Sequence, residues 1–255
     1  MPMLAHQYQI WQWGGRISKP GDSVDKYNVG VVTQAKRDAN NQFEVFNELL
    51  GTRLATLVGL PVPPGFILND NGFWFASMRF SILGVELPDG DSERLVAEQP
   101  FLACGIVVFD SWIANADRHS RNFFYDCEDK KVWLFDHGRA LLDGVGVGHL
   151  EARQDGLGIS TDDHDIMSEI TSLDDFDEWM ERIGGVSDRL IMDAASEASE
   201  VIDDKAAALA CGRWLIQRKG LLKDIFKRNL GKFPKYSPGM FNPFRVYDDP
   251  IDYYI

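Results

Sequence analysis

Cysteine and positive charge are both scarce in this 255-residue chain. Its three cysteines are an odd number without a C-x-x-C pair, so we predict neither a disulfide framework nor a zinc site, and a reducing cytoplasm fits best. Lysine and arginine number 26 against 39 acidic residues, which gives a net charge of −13. Because such a surface repels phosphate backbones, nucleic acid is not expected to be a partner of this chain by itself.

Long apolar runs are also missing. No stretch reaches the roughly 18 residues that cross a bilayer, and the start MPMLAHQYQIWQW lacks the basic and apolar parts of a signal peptide. Hydrophobic residues make up 45% of the chain and charged residues 25%, an ordinary globular composition. The sequence therefore predicts a cytoplasmic protein without a membrane span, long enough for one large domain or for two lobes.

The first third of the chain combines strand and helix patterns. YNVGVVTQ is rich in β-branched residues and predicts a strand. Apolar residues recur at three- and four-residue steps from Phe43 to Leu57 and predict a helix that ends at Gly59 and Pro61. The next segment predicts a hairpin that turns at residues 69–72.

The rest of the chain is mostly helical in pattern. FLACGIVVFDSWIAN is almost entirely apolar and predicts a buried helix, whereas the Gly- and Asp-rich residues 143–172 predict a long loop. Residues 173–230 again have helical periodicity. The chain is therefore predicted to be α+β, with a β-rich N-terminal lobe (1–85), a mainly helical C-terminal lobe (86–232) and a Pro- and aromatic-rich tail (233–255).

One predicted hairpin carries three polar side chains at its open end. NFFYD and VWLFD are strand-like, and CEDKK between them is a polar turn. A turn centred on Asp129 places Asn122 opposite Asp136, and Asp117 lies in the loop that enters the first strand. Asp110, within an apolar stretch, is a candidate for a buried residue that holds that loop by hydrogen bonds. We therefore expect the three polar groups to converge.

The segments NADRHSRN and DHG resemble a kinase motif. Asp117 and Asn122 have the D-x-x-x-x-N spacing of a protein-kinase catalytic loop, and Asp136 opens DHG where kinases have D-F-G. Arg118 and His119 follow the aspartate, an order that resembles the HipA-like bacterial kinases and, more distantly, the phosphatidylinositol kinases. FNELLGTRLATLVGLPVPPG and FDSWIANADRH also resemble segments of the HipA-like group. The resemblance covers residues 25 to 142.

This resemblance implies a two-lobed protein-kinase-like fold with a small β-rich N-lobe carrying one helix and a larger, mainly helical C-lobe. It implies ATP and Mg²⁺ as cofactors and a Ser or Thr hydroxyl of a protein as acceptor. Asp117 would orient the hydroxyl, while the oxygens of Asn122 and Asp136 would hold the metal. Arg118 and His119 would complete the catalytic loop, and either could pair with a nearby carboxylate and fix that loop.

The resemblance also implies a lysine that binds the nucleotide phosphates, and the chain offers more than one candidate. By resemblance, Glu48 in NELLG pairs with a strand lysine, but the strand here reads VGVVTQAK. Lys36 shares a strand face with Gln34, near the expected position, and is the candidate. Lys19 and Lys26 are alternatives, and so is the absence of such a lysine.

Several alternatives remain open on sequence alone. One is that Asp117, Asn122 and Asp136 are polar capping residues with a purely structural role at the open end of the hairpin. The chain could be a pseudokinase or nucleotide-binding regulatory module, or a kinase acting on a small molecule or lipid headgroup. We interpret DDHD at 162–165 as solvated acids and not as a metal site. We interpret the basic run after residue 212 as a solvated helix face and not as a membrane-binding one. By resemblance, an antitoxin-like protein is a candidate partner.

Overall fold

The structure is a computed structural model, and it describes residues 16–17, 26–27, 33–38, 40–69, 71–78 and 89–237. The predictions made for QYQIWQW and for most of the aromatic tail lie outside the described residues. The backbone alone is described at 16–17, 26–27 and 33–34.

The N-terminal strands form small antiparallel sheets. The strands are β1 (Arg16–Ile17), β2 (Lys26–Tyr27), β3 (Thr33–Lys36), β4 (Gly65–Asn69) and β5 (Phe73–Met78). β1 pairs with β2, and the other three form a sheet of order β3-β5-β4. The β4–β5 hairpin turns through Asn71 and Gly72, whose φ angles are 50° and 114°, values that asparagine and glycine adopt more readily than other residues. The predicted hairpin is confirmed.

The predicted N-terminal helix is α1 (Glu44–Val58). Gly59 ends it in the left-handed region (φ 81°), and its N–H bonds back to the carbonyl groups of Ala55 and Thr56. The side chains of Phe46, Leu50 and Leu54 are completely buried. The helix contacts β4, β5 and a later helix through this apolar face.

Two helices precede the motif-bearing hairpin: α2 (Ser92–Glu98) and α3 (Pro100–Ile113). Asp91 caps α2 by accepting from the backbone N–H of Arg94 at 2.9 Å. α3 is buried from Ala103 onward and ends at Ala114 in the left-handed region. The predicted buried helix is confirmed.

The predicted hairpin is present, but its register differs by one residue from the prediction. β6 (Phe123–Asp126) pairs with β7 (Lys131–Leu134), with Phe123 opposite Leu134. Beyond the last pair, Phe135 donates to the carbonyl of Asn122 at 3.2 Å. The prediction that Asn122 faces Asp136 is therefore wrong, because the turn spans four residues and its centre lies half a residue before Asp129.

The prediction of one long loop over 143–172 is also wrong. Two short helices lie in it, α4 (Val147–Ala152) and α5 (Asp165–Glu169). Both are too short to show helical periodicity in the sequence. Packing determines them instead, since Leu150, Ile166 and Met167 are buried in the core.

Three further α-helices lie in the rest of the described chain: α6 (Phe176–Gly185), α7 (Asp188–Ala198) and α8 (Lys205–Asn229). The prediction of helix over 173–230 is confirmed. Buried apolar residues of α1, α3, α6, α7 and α8 share one core, which includes the large side chains of Phe46, Trp112, Trp179 and Phe226. In the part of the chain that is described, no helix is both long and apolar enough to span a membrane.

Candidate active site

Lys36, at the end of β3, contacts acidic side chains of two other elements. Its ammonium pairs with Glu48 of α1 and lies 2.8 Å from Oδ1 of Asp136 and 3.7 Å from Oε1 of Glu44. Lys36 is paired with Phe75 of β5, and this strand pairing fixes the backbone position from which the Lys36 side chain reaches the three acids. The structure therefore brings the predicted phosphate-binding lysine, the helix glutamate and one predicted metal ligand into one contact group.

Charge pairing controls ionisation in this group. Burial would raise the pKa of Glu48, but the Lys36 ammonium, together with His137, outweighs burial and holds that pKa well below its usual range. Burial also opposes the charge on Lys36, yet the carboxylates of Glu48 and Asp136 raise its pKa above the ordinary value. At neutral pH, Lys36 is therefore a cation and Glu48 an anion.

Asp117, His119 and Asn122, which the sequence predicts to belong to a catalytic loop, lie in contact between α3 and β6. The Asn122 side-chain N–H donates to the main-chain oxygen of Asp117 at 2.6 Å and lies 3.5 Å from its Oδ2. His119 Nε2 lies 3.7 Å from Asp117 Oδ1, and its Nδ1 accepts from the backbone of Arg121. Because Nδ1 is an acceptor, a neutral His119 carries its proton on the nitrogen nearer Asp117.

Arg118, predicted among the catalytic-loop residues, is completely buried beneath that loop. Its guanidinium donates to both Asp110 oxygens at 2.9 and 3.0 Å, and to the carbonyls of Asn122 and Phe135 at 2.7 and 2.6 Å. Burial would raise the pKa of Asp110, but Arg118 and then His164 hold it well below its usual range. Through these contacts Arg118 holds the loop in place, and Asp110 is the buried hydrogen-bonding residue that the sequence suggested.

A distant segment fixes the same loop. His164 Nε2 lies 3.2 Å from Asp110 Oδ2, while its Nδ1 accepts from the backbone of Met167. Asp165 accepts from the backbone N–H of Ser120 at 2.6 Å, and its own N–H donates to the carbonyl of Arg118 at 3.0 Å. The interpretation of DDHD as solvated acids is therefore wrong for His164 and Asp165.

The DHG segment is docked on α1 by its backbone. The Gly138 carbonyl accepts from the side-chain amides of Asn41 and Asn47 at 3.2 and 2.8 Å. Position 138 requires glycine because a Cβ there would lie 2.9 Å from Glu44 Cγ. Asp136 has a φ of 62°, which directs the chain from β7 into this contact.

Sequence reasoning missed Asn47 and Arg139. Asn47 is buried on an otherwise apolar helix face, and a polar residue at such a position was a usable signal. Arg139 directly follows DHG, its side chain is 69% exposed, and its Nε lies 3.9 Å from Asp117 Oδ2. It is a cation at the mouth of the site.

The donor set fits a magnesium ion bound together with phosphate oxygens. Asp136 offers a carboxylate that is 40% exposed, and Asn122 uses its amide N–H on Asp117, which leaves its oxygen for a cation. Among the described residues, no cluster of three or more His, Cys, Asp or Glu side chains could hold a metal. Two protein oxygens are typical of a site that Mg²⁺ shares with a nucleotide.

No protein-family model and no curated protein matches this chain. Among solved structures it is similar to the proinflammatory kinase CtkA of Helicobacter pylori, with a TM-score of 0.59 and 15% identity over 88% of this chain and 96% of that one. HipA of Shewanella oneidensis MR-1, solved as a toxin–antitoxin complex with HipB and operator DNA, gives a TM-score of 0.43 and 16% identity over 86% and 70%. The chain therefore has the fold of the kinase CtkA.

Proposed function

We propose that this chain is a kinase that uses Mg²⁺ and ATP to phosphorylate a Ser or Thr hydroxyl of a protein. The observation that carries the proposal is the contact of Lys36 with both Glu48 and Asp136. A β-strand lysine paired with a helix glutamate is the arrangement that kinases use to hold nucleotide phosphates. The sequence resemblance and the CtkA-like fold agree with it.

The side chains divide the chemistry among them. Lys36, held by Glu48, would bind phosphate oxygens. Asp117 would accept a hydrogen bond from the acceptor hydroxyl and take its proton as that oxygen bonds to the γ-phosphorus and the bond from the γ-phosphorus to ADP breaks. Mg²⁺, held by Asn122 and Asp136, would neutralise charge on the phosphates.

His119 and Arg139 would act at the acceptor side of Asp117. The His119 Nε2–H and the Arg139 guanidinium flank opposite oxygens of the Asp117 carboxylate, at 3.7 and 3.9 Å. Both donors can orient that carboxylate toward the hydroxyl. Arg118 would act beneath the loop by holding it in place.

The wider organisation is part of the proposal. Residues 1–85 would form the nucleotide-binding lobe, 86–232 the catalytic lobe and 233–255 a tail, as in a two-lobed kinase. An antitoxin-like protein partner and a cytoplasmic location are proposed on the sequence resemblance and composition. A nucleotide-binding module without activity is the second candidate, and the absence of a phosphate-binding lysine would favour it. The placement of Lys36 favours the enzyme.

The test is transfer of labelled γ-phosphate from ATP, with Mg²⁺, to the chain itself and to a generic protein acceptor. Asp117→Asn should abolish transfer and keep the thermal shift produced by Mg-ATP. Lys36→Met should weaken that shift because its side chain lacks a charge for the phosphates.

Lys205→Met is the matched control, since Lys205 is an exposed lysine that also pairs with a glutamate, Glu200, and lies far from Lys36 in the sequence. It should leave both readouts unchanged. A thermal shift without transfer by the unaltered chain would identify a binding module instead. A headgroup or small-molecule acceptor would be indicated by transfer to those molecules but not to protein.

A further inference from the structure

His137, the middle residue of DHG, packs between α1 and α3. Its side chain is buried, and its ring lies edge-on to Phe109 with 6.0 Å between ring centroids. On the other side it contacts α1 at Gly51, where any Cβ would lie 2.7 Å from His137 Cβ. The ring therefore joins α3, α1 and the DHG segment.

The imidazole is poorly suited to this position as a packing element. Neither ring nitrogen is hydrogen-bonded to a residue in the described part of the chain. Buried polar atoms without a partner lower stability, whereas a phenyl ring has a similar shape and no polar atoms. A histidine here points to a role other than folding.

The carboxylate of Glu48 is within reach of the ring. His137 Nδ1 lies 3.8 Å from Glu48 Oε2, and the other oxygen of Glu48 pairs with Lys36. This separation exceeds a normal hydrogen bond by about 0.9 Å, so a small displacement of α1 or of the ring would form one.

We propose that His137 is a positioning residue whose Nδ1–H directs the Glu48 carboxylate and thereby holds Lys36 for the nucleotide. The inference rests on the proposed function and deepens it. A neutral ring protonated on Nδ1 donates to Oε2, and Glu48 Oε1 remains on Lys36. Because His137 directly follows Asp136, the contact links the metal-binding segment to the phosphate-binding lysine.

Two substitutions separate the ring from its donor. His137→Phe keeps the ring and removes the donor, whereas His137→Asn keeps a donor near the position of Nδ1 and removes the ring. His149→Phe is the matched control, because His149 is also buried with its Nδ1 3.8 Å from a carboxylate, that of Asp143. The readouts are the Kd for Mg-ATP, the melting temperature, and the separate kcat and KM values at pH 7.5.

We expect His137→Phe to melt at the same or a higher temperature and to bind Mg-ATP about threefold to tenfold more weakly, as for one lost hydrogen bond. His137→Asn should melt lower and bind within about twofold of the unaltered chain. His149→Phe should leave Mg-ATP binding unchanged.

Weaker Mg-ATP binding without a loss of stability in the phenylalanine variant is the signature of the proposal, since replacing a purely structural residue would lower stability together with affinity. Mg-ATP binding that His137→Phe leaves intact would overturn this inference alone. Equal weakening by Phe and Asn would assign the effect to ring packing and would also overturn it. No binding of Mg-ATP by the unaltered chain would overturn the proposed function and this inference with it.

Discussion

At the scale of single residues, the geometry of the predicted catalytic loop depends on one buried ion pair. Asp110 and Arg118 are both fully buried and share two hydrogen bonds, and His164 contacts the same carboxylate. Replacing one partner of such a pair leaves an uncompensated buried charge, which costs far more than the pair contributes in net terms. The pair therefore makes the loop geometry sensitive to a change deep in α3.

Asp110→Asn should lower the free energy of unfolding by about 3–5 kcal/mol, because Arg118 would remain buried as a cation without an anion. Urea unfolding measures this. Asp193→Asn is the control, since Asp193 forms an exposed pair with Arg189 and should change stability by less than about 0.5 kcal/mol. Equal effects of the two substitutions would contradict the role assigned to Asp110.

At the scale of elements, α8 fixes the segment that follows α4 by means of a single side chain. Arg218 is buried, and its guanidinium donates to five backbone carbonyls, those of Ser111, Arg153, Gln154, Gly156 and Leu157. Burial, with the nearby Arg153, lowers the pKa of Arg218 to about 10. The interpretation of the basic run as a solvated face is wrong at this position.

Arg218→Lys should destabilise the chain by about 2–4 kcal/mol, because an ammonium has three donors and cannot serve five carbonyls. Amide hydrogen exchange should rise in residues 153–158. Arg213→Lys, at an exposed position of the same helix, should leave both measurements nearly unchanged. Protection of 153–158 that survives Arg218→Lys would show that other contacts hold the segment.

At the scale of the whole molecule, acid should destabilise the fold well before its surface carboxylates are neutral. Burial, with Arg153 nearby, lowers the pKa of His149 from 6.5 to about 4. Between these values the unfolded chain takes up a proton at this position and the folded chain does not, so stability falls as pH falls. The depressed pKa values of Glu48 and Asp110 remove further stability below about pH 4.5.

The free energy of unfolding should therefore drop between pH 6.5 and 4, and His149 should account for about 2–3 kcal/mol of the drop. Urea unfolding at four pH values tests this. His149→Phe should show a shallower slope in that window and should match the original slope above pH 7. An unchanged slope would mean that Asp143 compensates the charge on His149 in the folded state.

Much of this architecture could be predicted from the sequence because its signals are local. The apolar periodicity and Gly59 predicted α1, the apolar run predicted α3, and the residues between β4 and β5 predicted their turn. The motif spacing singled out Asp117 and Asn122, which are in contact, and Asp136, which pairs with Lys36.

The rest could not be predicted because it depends on long-range contacts. α5 and the attachment of His164 to Asp110 join positions 54 residues apart, and no local pattern specifies such a pair. The burial of Arg118 likewise depends on the carbonyls of two strand ends. The hairpin register was wrong by one residue because its polar turn fits two centres equally well.

The reach of Arg218 has a consequence for how the chain matures on the ribosome. The carbonyls at 153 and 154 are synthesised 65 and 64 residues before the guanidinium that satisfies them. Until that late helix emerges, the carbonyls of the earlier segment have no donor, so this segment reaches its final geometry only after α8 has been synthesised.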